Sequence, residues 1–356
     1  MESLEPRRLL AGLDPSFGDE GIALMNRISV GNNRAYAIAE LGDGDVLIST
    51  DFQADTRPHL LRFNSDGTAD TAWADEGLSK IDELAGPVVA MKPSGDGLMV
   101  LASDSVHGPT LALLDGDGHF DRVVARPLTP PGSSSSGTFE ALDFITLPGG
   151  ELLVFSNHSM TKLDASGATI TSFGINGVRS IGHAHGVTVD DAGRILVASG
   201  STSGEGLVAR YLPDGNLDAS FGTGGFFDPP TPISTDPWRP HWSRMTGVAV
   251  GPDGRIFTVG YAARATGSQL FAAVATDAGV SDTTWGDQGR VVLATMPRSN
   301  RPYADQPAVL SDGRLVVGIS TRDQGERGVQ QVIRLTPDGD FDTTFHGDGI
   351  SASLVP

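Results

Sequence analysis

Apolar and polar positions alternate with period two through most of the chain, in short runs that stop at Asp-Gly or similar turn pairs. Two arrangements recur. In one, a short apolar strand meets an Asp-Gly turn, then a Phe-Gly-x-x-Gly signature, then a new strand. Residues 209–226 (ARYLPDGNLDASFGTGGF) show it most clearly. Residues 332–350 repeat it closely, 61–78 place Trp73 in the Phe slot, and 160–178 and 273–291 are further copies. Residues 111–124 have lost the Phe-Gly half, and 14–21 hold the first Phe-Gly-x-x-Gly. In the other arrangement a strand, a Gly/Asp turn and a strongly apolar strand follow each other, at 35–49, 88–102, 142–156, 186–199, 247–260 and 308–318. Strand-like runs bounded by Asp-Gly signal β-hairpins, because the pair tolerates the positive φ of a tight turn.

One repeat therefore holds four short strands. The first-turn glycines Gly44, Gly97, Gly149, Gly193, Gly254 and Gly313 recur at a comparable period. Four antiparallel strands at that period predict an all-β fold, a β-propeller of six blades, each burying its faces against its neighbours. A parallel solenoid is the alternative, with shorter coils; helical repeats are excluded by the patterning and the glycine density. The expected boundaries are a tail at 1–13 and a repeat domain at 14–356. Within it the blades are expected at 21–77, 78–124, 125–177, 178–225, 226–289 and 290–349, with a closing strand at 350–355.

Charge narrows the function classes. With 25 Lys and Arg against 44 Asp and Glu, the net charge is −19. Such a surface repels phosphate backbones and anionic lipids, so nucleic-acid partners are not expected. No apolar run has the length of a membrane-spanning helix, so no membrane insertion is expected. The absence of cysteine excludes thiolate chemistry and disulfides.

The signature Asp214, Gly215, Asp218, Phe221, Gly222, Gly225, paired with Pro-Asp-Gly-Arg-Ile at 252–256, resembles the bacterial delta-60 repeat, a β-propeller family. The resemblance runs from Asp14 to Ile350 and implies the fold and a secreted or surface setting, with no defined activity. At the N-terminus, Glu2-Ser3-Leu4-Glu5-Pro6-Arg7-Arg8-Leu9-Leu10-Ala11 resembles the LEPR-XLL motif of secreted and surface proteins of planctomycete bacteria. That motif usually follows a basic stretch, absent here, so the export signal is expected to be incomplete in this sequence.

Most signature residues have structural roles: the aromatic wedges between blades and the Asp caps its turn. Strands alternate in direction, so the stereotyped turns are expected on one face and the irregular connections on the other. The irregular connections include 126–140, 228–244 and 295–306, and recognition concentrates on such loops. Trp238 and Trp242 lie in the longest insertion beside Arg239, His241 and Arg244, and Trp and Arg dominate binding hot spots. Aligned on the turn glycine, Arg34, Tyr36, Glu140, His183, His185, Arg244, Tyr303 and Asp305 fall at the heads of first strands. His183 and His185 could share a strand face and hold a metal, but no matched third ligand is evident. Asp338-x-Asp340-x-Asp342 and Asp115-x-Asp117 echo calcium loops, yet lack the Gly and the acid at the later positions an EF-hand needs. No cofactor is therefore assigned, and no catalytic residue. The expectation is a non-enzymatic, extracellular or surface-associated propeller binding a carbohydrate or protein partner through its irregular loop face. The alternatives are a polysaccharide- or ester-acting hydrolase or lyase at the mouth of the central channel, using His183, His185, Glu140, Arg34 and Asp305, and a purely structural surface-layer module.

Overall fold

The structure is a computed structural model that describes residues 34–52, 55–104, 108–126, 140–200, 205–231, 242–263, 267–296, 303–322 and 328–351. The tail, the first Phe-Gly-x-x-Gly at 14–21, Trp238, Arg239 and His241 lie outside them.

Six antiparallel sheets follow one another along the chain. Blade 1 is β1 (Arg34–Glu40), β2 (Val46–Phe52), β3 (Asp55–Phe63) and β4 (Leu78–Lys80). Blade 2 is β5 (Val88–Ser94), β6 (Gly97–Asp104), β7 (Gly108–Leu114) and β8 (Phe120–Ala125). Blade 3 is β9 (Ala141–Thr146), β10 (Leu152–Ser156), β11 (Ser159–Leu163) and β12 (Val178–Ser180). Blade 4 is β13 (His183–Val189), β14 (Ile195–Gly200), β15 (Gly206–Tyr211) and β16 (Phe226–Phe227). Blade 5 is β17 (Trp242–Val250), β18 (Ile256–Ala263), β19 (Ser268–Ala275) and β20 (Arg290–Met296). In blade 6 the first strand is split into β21 (Tyr303–Ala304) and β22 (Ala308–Val309), both pairing with β23 (Leu315–Arg322), which pairs with β24 (Gly328–Leu335). A bridge from Ile333 to Ile350 stands in its fourth position. This is a six-bladed β-propeller of four-stranded blades, and no helix occurs among the described residues. The chain forms two compact units, with blades 1–3 ending at Ile181 and blades 4–6 beginning at Gly182.

The strand after Phe-Gly-x-x-Gly pairs backwards, which moves the blade boundaries expected from the sequence by one strand. Leu78 pairs with Leu61, Val178 with Thr161, and Phe227 with Val208. The wedge turn causes this. Gly225 N donates to Phe221 O at 2.8 Å and Arg210 N to Gly225 O at 3.1 Å, so the chain doubles back onto its own β15. The expected closing strand likewise begins inside blade 6, at Ile350.

Blade seams follow from the same repeat. Trp73 packs on Gly118 of blade 2, Phe221 on Gly279 of blade 5, and Trp285 on Gly339 of blade 6. Phe221 and Trp285 are fully buried, each contributing about 1.5–3 kcal/mol by burial. At Gly279 a Cβ would fall 2.7 Å from the Phe221 ring and 2.6 Å from Gly222 N, so only glycine lets the wedge seat. Blade 2, which lacks Phe-Gly, runs straight from β7 into β8 and presents Val124 to Gly167 instead. The signature Asp caps its turn, as Asp218 Oδ1 accepts from Ser220 N at 3.1 Å. Its Oδ2 accepts from Arg210 Nε at 2.8 Å, and the Arg210 guanidinium lies over the Phe221 ring.

Candidate binding site at the heads of the first strands

Every first strand carries one extra residue relative to its partner. Tyr36, Val89, Leu142, His185 and Thr246 are the bulged positions of blades 1 to 5, and in blade 6 Asp305-Gln306-Pro307 face Val317 and Gly318. A bulge bends its strand and leaves ladder groups unpaired, so it both re-aims a side chain and demands other partners. Neighbouring blades supply them. Ser49 Oγ donates to Val88 O at 2.6 Å, and Lys92 Nζ donates to Phe144 O. In the unit of blades 4–6, Gln306 Nε2 donates to Val187 O at 3.0 Å and to Val248 O, while Val248 N donates to Gln306 Oε1 at 3.3 Å.

Those bonds bring three bulges side by side. A Cβ on Gly186 would lie 2.5 Å from Gln306 Oε1 and 2.6 Å from Gly247 Cα; one on Gly247 would lie 2.5 Å from Pro307 Cδ. His185, Thr246 and Asp305 are therefore neighbours, and two residues earlier on the same strands stand His183, Arg244 and Tyr303. Arg244 crosses Gly200, the ladder partner of His183; a Cβ there would lie 3.3 Å from Arg244 Cγ and Nε. Tyr303 is 51% exposed, and Asp305 N donates to Gly318 O at 2.9 Å.

Three groups in this cluster titrate away from their ordinary values. Burial, then the positive charges of Arg244 and His183, push the His185 imidazole down to about 4, so it is neutral at pH 7. Burial raises the Asp305 carboxyl. Burial and the Asp305 charge raise the Tyr303 phenol. His185 Nε2 is covered and has no hydrogen-bond partner. Perturbed groups converging at one place make it a candidate functional site.

The structure thus assembles five of the sequence-derived residues, His183, His185, Arg244, Tyr303 and Asp305, in one unit. Tyr36, half-buried on its bulge, and Glu140, exposed before β9, belong to the unit of blades 1–3. Arg34 pairs with Asp51 and Trp242 with Ala263 through their backbones. Thr246 and Gln306 went unread in the sequence. Thr246 shares the turn-glycine offset of His185 and Asp305, which an alignment of the repeats carries; Gln306 acts across 119 residues and leaves no local signal. Among the described residues no three His, Asp or Glu converge on a metal position. Two of the aspartates that resemble calcium loops already have partners. Asp115 Oδ1 accepts from Asp117 N and His119 N, and Asp342 Oδ2 pairs with Arg334 Nε at 2.7 Å and Arg314 Nε at 3.1 Å.

Residues 41–72, 193–221 and 310–345 match the family model described as "Domain of unknown function (DUF5122) beta-propeller"; together they span less than half of the chain. No curated protein matches. Among solved structures, the chain is similar to hydrazine synthase of Kuenenia stuttgartiensis. The identity is 11% and the TM-score 0.50, over 90% of this chain and 96% of that one. It is also similar to a putative gluconolactonase (12% identity, 82% and 90% covered, TM-score 0.39). A third is an ulvan-degrading polysaccharide lyase (8% identity, 70% and 68% covered, TM-score 0.42). At such identities the likeness is one of fold alone. With six four-stranded blades and three segments matching a propeller model, the chain is a β-propeller repeat protein.

Proposed function

We propose that this chain is a non-enzymatic, secreted or surface-associated propeller that binds a carbohydrate at the first-strand heads of blades 4–6. The observation that carries the reading is the segregation of side chains at equivalent positions. Blades 4–6 place His183, Arg244 and Tyr303 over His185, Thr246 and Asp305. The bulges of blades 1–3 hold Tyr36, Val89 and Leu142. Hydroxyl-rich ligands need such a set: arginine and histidine donors, a carboxylate acceptor and a half-exposed aromatic ring to stack on. The resemblance to delta-60 repeats and to LEPR-XLL supports the secreted or surface setting.

The hydrolase or lyase reading draws on the shifted His185, Asp305 and Tyr303. Against it, His185 Nε2 is covered, and a general base must lie within hydrogen-bond reach of the proton it removes. The test is a glycan array probed with the intact chain, Arg244→Gln and Tyr303→Ala. The expected result is a retained glycan whose binding falls about tenfold in each variant, about 1.4 kcal/mol, with the melting temperature held. Equal retention by all three proteins would remove this site; retention of protein ligands but no glycan would favour a protein partner.

A further inference from the structure

We infer a second site, on the stereotyped-turn side of the seam between blades 1 and 2, that takes an organic ammonium group. It is independent of the carbohydrate reading. In the two seams within blades 4–6, a main-chain bond joins the wedge turn to the next blade. Gly222 N donates to Ala278 O at 2.8 Å and Gly286 N to Asp338 O at 2.9 Å. In the blade 1–2 seam the equivalent residue is Ala74, at φ +48°, and the link passes instead through Trp73 Nε1, which donates to Gly116 O at 3.0 Å.

The first turn of blade 2 is also short. Ser94 pairs with Gly97 across only Gly95 and Asp96, whereas Glu40 pairs with Val46 across 41–45 in blade 1. The shortened turn and the substituted wedge leave a cleft of about 200 Å³. Leu41, Leu47, Trp73, Pro93 and Leu98 give it apolar walls, and Asp43, Asp96 and Asp115 are its acidic residues, of which Asp43 is paired with Arg62 and Asp115 accepts from its own turn.

The charge balance there is negative. The one cation in the lining, Arg62, is held by Asp43 at 2.9 Å, Asp45 at 2.8 Å and Asp70 at 3.2 Å, three carboxylates to one guanidinium. Asp96 is exposed and has no ion pair among the described residues. A ligand with a short apolar stem and a cationic end satisfies both walls and rim, as a free alkyl diamine or a lysine side chain does.

The experiment is calorimetric titration of the whole chain at low salt with 1,5-diaminopentane, 1,5-pentanediol and hexalysine. Two variants accompany it. Gly42→Phe fills the cleft from a position with open space around the added carbon, and Asp96→Asn removes a rim charge. The diamine is expected to bind and the diol not. The affinity should fall about three- to fivefold in Asp96→Asn, the scale of one exposed charge pair, and be lost in Gly42→Phe with an unchanged melting temperature. Hexalysine binding far more tightly than the diamine would identify a basic peptide as the source of the ammonium; comparable affinities would identify a free amine. Equal binding of diol and diamine, undiminished binding by Gly42→Phe, or no binding of either amine would overturn the inference.

Discussion

Acidification should destabilise the protein through His185, and the size of the effect follows from its surroundings. In the unfolded chain this imidazole takes a proton near pH 6.5; in the fold, burial and the Arg244 charge hold it back until about pH 4. Above pH 6.5 both states are neutral and the histidine has no effect. As pH falls from about 6.5 to 4, only the unfolded state gains the proton, so stability is lost progressively over that window and no further below it. Two and a half units would correspond to about 3.4 kcal/mol. The ring is only partly buried, and screening by solvent reduces the expected loss to about 1–2 kcal/mol. The assay is urea unfolding of the parent and His185→Gln at pH 7.5, 6, 5 and 4.5. The difference between them cancels the response of the acidic groups common to both. The parent should lose about 1–2 kcal/mol more than the variant between pH 7.5 and 4.5. Parallel curves, or a His185 resonance titrating near 6.5, would refute the reasoning.

Other expectations follow from the same contacts. Asp305 carries the opposite sign: its carboxyl is raised by burial, so the charge is unfavourable in the fold above its pKa and this cost is relieved as pH falls. Asp305→Asn should therefore raise the melting temperature at pH 7, with the gain shrinking on acidification. Gln306→Leu strips Val187 O and Val248 O of their donor and should lower the unfolding free energy by about 1–3 kcal/mol in urea melts. Phe221→Ala empties a fully buried wedge and should lose about 3–5 kcal/mol in the same assay.

The strands and hairpins were legible because Asp-Gly turn chemistry is local and period-two patterning marks half-buried strands. Blade edges were not, since pairing of the strand after Phe-Gly-x-x-Gly depends on a reversal closed by the Gly225–Phe221 bond, which the residue pattern does not display. At the site, His183, His185, Arg244, Tyr303 and Asp305 could be read because a shared offset from the turn glycine encodes a shared height on the first strand. Thr246 had the same offset but lay in an apolar run. Gln306 could be recognised only once blades 4, 5 and 6 stood together. Trp73 stands in the Phe slot of the repeat, and nothing local signals the cleft beside it, because that cleft depends on a turn in the next blade.

The wedge and its glycine have a consequence for how such a chain can grow. Blade 5 carries both halves of the joint, with Gly279 receiving Phe221 behind it and Trp285 reaching Gly339 ahead. A duplicated copy would bring a plug and a socket already matched to either neighbour, so gene duplication adds a blade without inventing an interface. Blade 2 shows the tolerance of the scheme: it keeps its socket at Gly118, has lost its plug, and holds the next blade with Val124. The joints thus occupy only a few positions per copy.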